Sequence, residues 1–544
     1  MKVGLYFHTL KYLKPKQLIF QLLRRIYKPK ITFIDYNPKL RSQLELFNKS
    51  LSKQQSLIEP NIFQFFNENG DLDQISWNGE QKEKLWRYNQ HYFDDLNSHT
   101  CELRLDWHLD LLERWVHENP PRETVGWEAY PTSLRVVNWI KWSFRFNKLS
   151  KLCVKSLFNQ GLLLEKNIEY HILGNHFFAN GKALIFLGVF FDNTIANRWI
   201  RKGMQMISEA LNDQILPDGA HYELSPMYHS IILEDILDLI NILRLYSPGE
   251  DESLLNELEN VIPEMLTWMT HMSFDDGHIS SFNDSANNIT SNPQDIINYA
   301  VALGFKAPKK NITNKLDYYH LESSGYIVIY KNDFKIILDV AKLGPDNLLA
   351  HGHADTLTFE LAKGANRIFV NSGTSCYGLS KRRDFERSTK AHNTVEVNNV
   401  SSSETWSSFR VAKRAYPYDL SIKKYNENLD INCSHNGYKR LSNNLSHSRL
   451  WNFNENIIAI EDTINGHHES AVSRFILHSD VVLNRITDNN FNIILADSFV
   501  IKLNICIGNA RIVEWEHTNE FGCVYKTVCI EVSLLGGKSL IELI

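Results

Sequence analysis

Two histidines and an aspartate stand at alternating positions in LLAHGHADTLTFELAKG, residues 348–364. If the backbone is extended there, His351, His353 and Asp355 share one side, because strand side chains repeat every two residues. Imidazole and carboxylate groups placed in this way suit a metal ion or a proton-transfer site. A solvated entrance to a strand is the non-functional alternative, and the local pattern leaves all three open.

Two further stretches bring polar side chains together ahead of helical runs. In HILGNHFFANGKAL, Asn175 and His176 follow a glycine, and a helix cap is the alternative role for the asparagine. In LPDGAHYELSPMYHSIILEDIL, Glu223, Tyr228 and His229 occupy a loop marked by Pro and Gly that enters a helix. Loops on a rigid scaffold often carry catalytic groups, although a surface loop anchored by aromatic residues has the same composition.

The period of the hydrophobic residues indicates which elements position these groups. From about Gln81 to Ala302, apolar residues recur at three- and four-residue spacing, which predicts a series of helices. Near Lys315 the spacing becomes two, and short alternating runs continue to the end, which predicts an antiparallel β-sandwich. We therefore predict an α+β chain with a basic, helical extension at 1–80, a helical domain at 81–310 and a β domain at 311–544. The cleft between the two domains is the expected place for the site.

Composition and charge exclude several functions. The chain has 544 residues and a formal net charge of −5, so no overall positive charge attracts it to nucleic acid. Its seven cysteines include no CxxC pair, which is typical of free, mostly buried thiols. The sequence carries no indication of the oligomeric state.

The first 30 residues are basic and partly apolar, but they lack the uninterrupted apolar core of a secretory signal. This predicts a cytoplasmic protein. Within the segment, KQLIFQLLRRIYK is typical of a solvated terminal helix, and peripheral contact with an anionic membrane surface is the alternative.

Five segments, in order through most of the chain after Trp86, resemble the heparinase II/III family of polysaccharide lyases. They are GWEAYPTSLRVVNWIKW, GNHFFANGKAL, DGAHYELSPMYHSIILEDILDL, HGHADTLTFEL and KAHNTVEVNN. The resemblance is to bacterial members encoded with capsule and exopolysaccharide functions. It implies an incomplete (α/α) toroid followed by an antiparallel β-sandwich, in agreement with the two hydrophobic periods. It also implies a location in the periplasm or cell envelope, whereas the missing signal core indicates the cytoplasm.

The resemblance implies roles for individual residues. Asn175 would face the substrate carboxylate, Tyr228 would be the acid/base tyrosine, and His351 would be the histidine contributed by the β domain. The side chains that we expect to bind substrate beside them are Arg135, His176, Glu223 and His229.

A metal site is also implied, with His353 and His392 as ligands of one structural divalent cation, zinc or calcium. Relatives usually carry Asp in the motif VDxGT, where this chain has Asn371. A neutral amide is a poorer zinc ligand than a carboxylate, so weak zinc, calcium or no metal remain open. No organic cofactor is implied.

The implied reaction is β-elimination from a uronic-acid residue of an acidic polysaccharide. A base removes the C5 proton and the C4–O bond breaks, while Asn175 offsets charge on the carboxylate. Tyr228 and His351 would divide the base and acid roles, in a direction that depends on the uronate epimer. A non-catalytic polysaccharide-binding protein and a glycoside hydrolase are the two other classes. The hydrolase would pair Glu223 with Asp284, which the sequence does not distinguish from surface or capping acids.

Overall fold

The structure is a computed structural model that describes residues 2–27, 34–41, 50–121, 123–246, 252–309 and 316–544. The helices in these ranges are α1 (Lys2–Leu10), α2 (Pro15–Ile26), α3 (Leu72–Ile75), α4 (Lys84–Tyr92), α5 (Leu105–Glu118), α6 (Ala129–Phe146), α7 (Lys151–Lys166), α8 (Gly174–Phe190), α9 (Thr194–Gln214), α10 (Pro226–Tyr246), α11 (Ser253–His271), α12 (Pro293–Ala302) and α13 (Lys381–Glu386).

Helices α4 to α12 form the helical domain around one large apolar core. Nearly every residue of helix α8 is buried, so it lies at the centre of this domain. Indole rings fill much of the core, and Trp86, Trp115, Trp139 and Trp142 are each fully buried.

The strands are β1 (Leu57–Glu59), β2 (Ile62–Phe65), β3 (Glu68–Asp71), β4 (Asp317–Leu321), β5 (Tyr326–Lys331), β6 (Phe334–Asp339), β7 (Phe359–Lys363), β8 (Asn366–Phe369), β9 (Val395–Val397), β10 (Thr405–Trp406), β11 (Arg410–Val411), β12 (Pro417–Tyr425), β13 (Asn428–His435), β14 (Ser446–Phe453), β15 (Ile458–Asn465), β16 (Ala471–Ile476), β17 (Val482–Arg485), β18 (Asn490–Ile494), β19 (Val500–Ile507), β20 (Asn509–His517), β21 (Tyr525–Ser533) and β22 (Lys538–Leu543). All strand pairs among them are antiparallel.

The β domain is a sandwich. A five-stranded sheet in the order β4-β5-β6-β7-β8 packs on an eight-stranded sheet in the order β12-β13-β14-β15-β22-β19-β18-β17. A four-stranded sheet, β20-β21-β16-β9, and a two-stranded sheet, β10-β11, complete the domain. The predicted α+β architecture, a helical toroid followed by an antiparallel β-sandwich, is confirmed.

Strand β5 explains how the two domains are held together. Ile327 and Ile329 point into the core between the sheets, while Tyr326 and Val328 point the other way, into a core shared with Trp268 of the helical domain. Because both faces are covered, the strand reads as a nearly continuous apolar run. The sandwich and the helical domain therefore share a dry contact surface.

The N-terminal extension contains more than the expected helices. Its strands β1 to β3 form a small antiparallel sheet at residues 57–71, which the sequence analysis did not anticipate. The cause is the shortness of these strands, which leaves too few residues for an alternating pattern.

Candidate active site

The three residues expected to perform the chemistry lie together where the helical and β domains meet. The ring centroids of Tyr228 and His351 are 3.9 Å apart. Glu223 connects this pair to Asn175, because its carboxylate accepts a hydrogen bond from the Asn175 backbone at 3.4 Å and lies 3.6 Å from His351 Nε2. Each of the four side chains is buried but retains a small exposed area. Both domains therefore contribute to one site.

The start of α8 sets the position of Asn175. The residue is the second of the helix, and the preceding Leu173 and Gly174 both have positive φ, 69° and 57°. A Cβ on Gly174 would approach Glu223 Oε1 to 2.6 Å, so only glycine allows this carboxylate to come so near. The Asn175 amide nitrogen is 3.5 Å from the Tyr130 hydroxyl. The helix-cap alternative for Asn175 is wrong.

The start of α10 fixes Tyr228. Pro226 is the first residue of the helix, and the Ser225 hydroxyl accepts a hydrogen bond from the Tyr228 backbone at 3.2 Å. Serine followed by proline is a favourable helix start. The Tyr228 hydroxyl then lies 3.2 Å from that of Tyr377, which the β domain contributes. Burial, reinforced by Tyr377, raises the pKa of Tyr228 well above 10, so its hydroxyl keeps its proton.

Asp284 organises the histidines of the β domain. It is fully buried and accepts hydrogen bonds from His351 Nδ1 at 2.8 Å and from His353 Nε2 at 2.9 Å. Arg383 donates to its two oxygens at 2.5 and 2.7 Å. Burial alone would raise the pKa of Asp284, but the charge of Arg383 and these hydrogen bonds lower it well below its usual range.

The ionised Asp284 determines which nitrogen of His351 carries a proton. A carboxylate can only accept, so Nδ1 donates and Nε2 presents a lone pair towards the site. His351 and His353 lie on the same side of the chain, as their spacing predicted. The strand itself begins only at Phe359, so the segment that carries them is an extended loop.

Sequence reasoning missed Asp284, Arg383 and Tyr377 as members of the site. The sequence did not distinguish Asp284 from a surface or capping acid, and the structure does, because the side chain is fully buried between the domains. The density of small polar residues in SSFNDSAN was the available signal for Asp284. Arg383 lies in the charged helix α13, which reads as a solvated surface helix, so no local pattern indicated it.

The four residues expected to bind substrate divide into two groups. Glu223 lies in the site, and His176 borders it, with its ring stacked 4.2 Å from the Tyr130 ring. The expectation that Arg135 and His229 bind substrate is wrong, because both are fully buried inside the protein. Arg135 donates to Gln160 at 2.9 Å beneath the Trp115 ring, and His229 Nε2 is 3.0 Å from the Met265 carbonyl oxygen. Both side chains therefore direct their polar groups at partners inside the helical domain.

The three predicted metal ligands lie close together, but only His353 and His392 direct nitrogen atoms at a common point. Asn371 Oδ1 is 3.0 Å from His392 Nδ1, and it accepts from the Thr358 hydroxyl at 2.8 Å. His392 must therefore donate from Nδ1, just as His353 donates from Nε2 to Asp284. Their other nitrogens, His353 Nδ1 and His392 Nε2, then face each other as lone pairs 3.3 Å apart.

This arrangement fits two imidazole ligands of one cation, or a shared proton. Asn371 does not fit as a ligand, because its oxygen faces the far nitrogen of His392 and already accepts two hydrogen bonds. It instead orients His392, as groups behind a ligating histidine commonly do. Among the described residues, no group of three or more His, Cys, Asp or Glu side chains is placed to hold a metal ion. The metal stays a prediction, with the expected role of Asn371 corrected.

The sequence matches known family models over most of its length. Residues 9–305 match the model described as "Heparinase II/III N-terminus", and residues 313–512 match "Heparinase II/III-like, C-terminal". A heparin-sulfate lyase of Bacteroides stercoris is 26% identical over 254 residues, which cover 43% of this chain and 37% of that protein. A heparin-sulfate lyase of Bacteroides thetaiotaomicron is 22% identical over 345 residues, covering 53% and 47% respectively. The matches therefore span less than half of the length of these relatives.

Solved structures share the fold. The crystal structure of a heparinase III has a TM-score of 0.71 at 16% identity, with 98% of this chain and 93% of that chain covered. A mutant heparan sulfate lyase from Pedobacter heparinus has a TM-score of 0.60 at 15% identity, with 97% and 87% covered.

Proposed function

The chain belongs to the heparinase II/III family, and we propose on that basis that it is a polysaccharide lyase that cleaves a uronate-containing, glycosaminoglycan-like polysaccharide by β-elimination. The observation that carries this proposal is the close pair of Tyr228 and His351, whose ring centroids are 3.9 Å apart, with His351 held by the ionised Asp284. The pair offers one proton acceptor and one proton donor side by side. The names of the similar lyases support the substrate class.

His351 is the base in this proposal. Its Nε2 takes the C5 proton of the uronate, while Asp284 stabilises the imidazolium that forms. The electron pair of the C5–H bond forms the C4=C5 double bond, and the C4–O bond breaks. After the product leaves, His351 gives its proton to solvent and Tyr228 takes one from solvent, which resets the site.

Tyr228 is the acid. Its raised pKa keeps the hydroxyl protonated, and the hydroxyl donates to the departing O4 oxygen. The opposite assignment, with tyrosinate as base, would require a lowered pKa. The sequence alone left this direction open, and the buried contact with Tyr377 supports the assignment of Tyr228 as acid.

Asn175 and Glu223 receive the substrate carboxylate. The Asn175 amide donates to it and offsets the charge that builds as C5 loses its proton. A second carboxylate beside Glu223 would normally be repelled. Burial raises the pKa of Glu223, which lowers the cost of bringing the substrate carboxylate near it.

The proximity of the two rings also favours one uronate epimer. Because the ring centroids of Tyr228 and His351 are only 3.9 Å apart, both groups reach the sugar from the same side in this proposal, and elimination is syn. Syn elimination requires the C5 hydrogen and the C4 oxygen on one face of the ring. Glucuronate meets this requirement, and its C5 epimer iduronate does not.

The paired carboxylates of a glycoside hydrolase are not supported by this geometry. Asp284 is committed to Arg383 and two histidines, and its lowered pKa keeps it ionised. It can therefore serve neither as a general acid nor as a nucleophile open to a sugar.

The test is incubation with polysaccharides that contain either glucuronate or iduronate. We expect product with the ultraviolet absorbance of a C4=C5 unsaturated uronate from the glucuronate polymers. Reducing ends without that absorbance would indicate hydrolysis and would refute the elimination. Equal rates on both epimers would refute the syn geometry but not the elimination itself.

A further inference from the structure

The two N-terminal helices turn their apolar side chains away from the protein. On α2, Leu18, Ile19, Leu22, Leu23 and Ile26 repeat at the spacing of one helix face, and all five are exposed, with Ile26 at 86%. On α1, Val3, Phe7 and Leu10 share a face and are also exposed. A helix on the surface of a globular protein normally buries such a face. We call these eight side chains the outer apolar face.

The opposite side of α2 binds the protein, through polar side chains and through Phe20, whose ring centroid lies 4.5 Å from that of Tyr170. Gln17 is buried and donates from Nε2 to the carbonyl oxygens of Ile172 at 3.2 Å and Asn347 at 3.3 Å, so it contacts both domains. Lys14 and Lys16 pair with Asp213 at 2.6 Å and Glu209 at 2.5 Å. The helix is therefore fixed with Lys16, Gln17 and Phe20 facing the protein and the outer apolar face turned outward.

The segment that carries the outer apolar face is basic in sequence. Eight Lys and Arg residues lie in the first 34 residues, which contain no Asp or Glu, although the whole chain has a net charge of −5. Arg25 is exposed on α2 beside Leu18 and Leu22. Apolar side chains bordered by basic ones match the boundary between the headgroups and acyl chains of an anionic bilayer.

We propose that the outer apolar face docks this protein on an anionic membrane surface. At 12 residues, α2 is about 18 Å long, shorter than the ~30 Å hydrocarbon core, so it lies along the surface. No helix in the part of the chain that the structure describes is long and apolar enough to span a membrane. The sequence pattern alone favoured a solvated helix, and the outward orientation of α2 is what favours the membrane.

Sedimentation with lipid vesicles tests the proposal independently of any enzymatic activity. We expect the full chain to bind phosphatidylcholine vesicles that contain about 30% phosphatidylglycerol, and to bind pure phosphatidylcholine vesicles far less. Arg25→Gln should weaken binding about fivefold, and added salt should weaken it further. The triple variant Ile19→Ser, Leu22→Ser, Ile26→Ser should reduce binding at least ~10-fold.

A matched control replaces exposed apolar residues elsewhere, Leu103→Ser, Val482→Ser and Ile486→Ser. It should bind as the wild type does, and near-ultraviolet circular dichroism should show both triple variants folded. Equal loss of binding in both triple variants would refute a specific docking face. Concentration-dependent self-association that the α2 variant abolishes, without vesicle binding by the wild type, would show a second copy as the occupant and overturn the proposal.

Discussion

Replacing Tyr228 with phenylalanine removes only the hydroxyl that we propose as the proton donor. The ring remains, and with it the contact with His351, whose ring centroid lies 3.9 Å away. The hydroxyl makes a single described hydrogen bond, 3.2 Å to Tyr377, so its loss should lower the free energy of unfolding by only about 1 kcal/mol. Loss of the general acid should slow turnover ~10²–10⁴-fold, equivalent to about 3–5 kcal/mol in the activation barrier.

Tyr377→Phe is the matched control, because it breaks the same hydrogen bond from the other side. We expect this variant to stay within about tenfold of the wild-type rate, since the Tyr377 hydroxyl transfers no proton in the proposed mechanism. The assay is the initial rate of ultraviolet absorbance on the best substrate, with the unfolding temperature measured in parallel. Wild-type turnover by Tyr228→Phe, or equal losses in the two variants, would refute the role of Tyr228.

Three further outcomes are expected. Asp284→Asn should lower kcat ~10⁴-fold, as in other Asp–His pairs, because His351 loses the acceptor that fixes its protonated nitrogen; a loss below tenfold in folded protein would contradict this. Added Zn²⁺ at ~100 times its dissociation constant should raise the free energy of unfolding of the wild type by about 2.7 kcal/mol and should not change that of His392→Ala. No shift in the unfolding temperature of the wild type would indicate that the two histidines share a proton instead. Burial and the nearby charge of Asp355 raise the pKa of Asp339 well above its usual value, so the folded state holds a proton that the unfolded chain releases above about pH 4. Stability should therefore fall as pH rises above about 4, and Asp339→Asn should flatten that fall in thermal unfolding; an equally steep fall in this variant would show that other groups cause it.

The sequence by itself determined the two-domain architecture and part of the site. Hydrophobic period is a local property of the chain, so the change from three- and four-residue spacing to alternation was readable without a structure. The ordered motifs indicated Asn175, Tyr228 and His351, and the structure brings these residues together. The alternating His-x-His spacing likewise placed His351 and His353 on one side of the chain.

Only the tertiary structure decided which polar residues reach the site and which face of a helix is covered. Arg135 and Arg383 are both fully buried arginines, yet one packs under Trp115 and the other neutralises Asp284 from 99 residues away in the chain. The outward face of α2 depends in the same way on Gln17 contacting residues 155 and 330 positions distant. Burial and charge pairing are set by neighbours that are remote in sequence, and no local pattern encodes them.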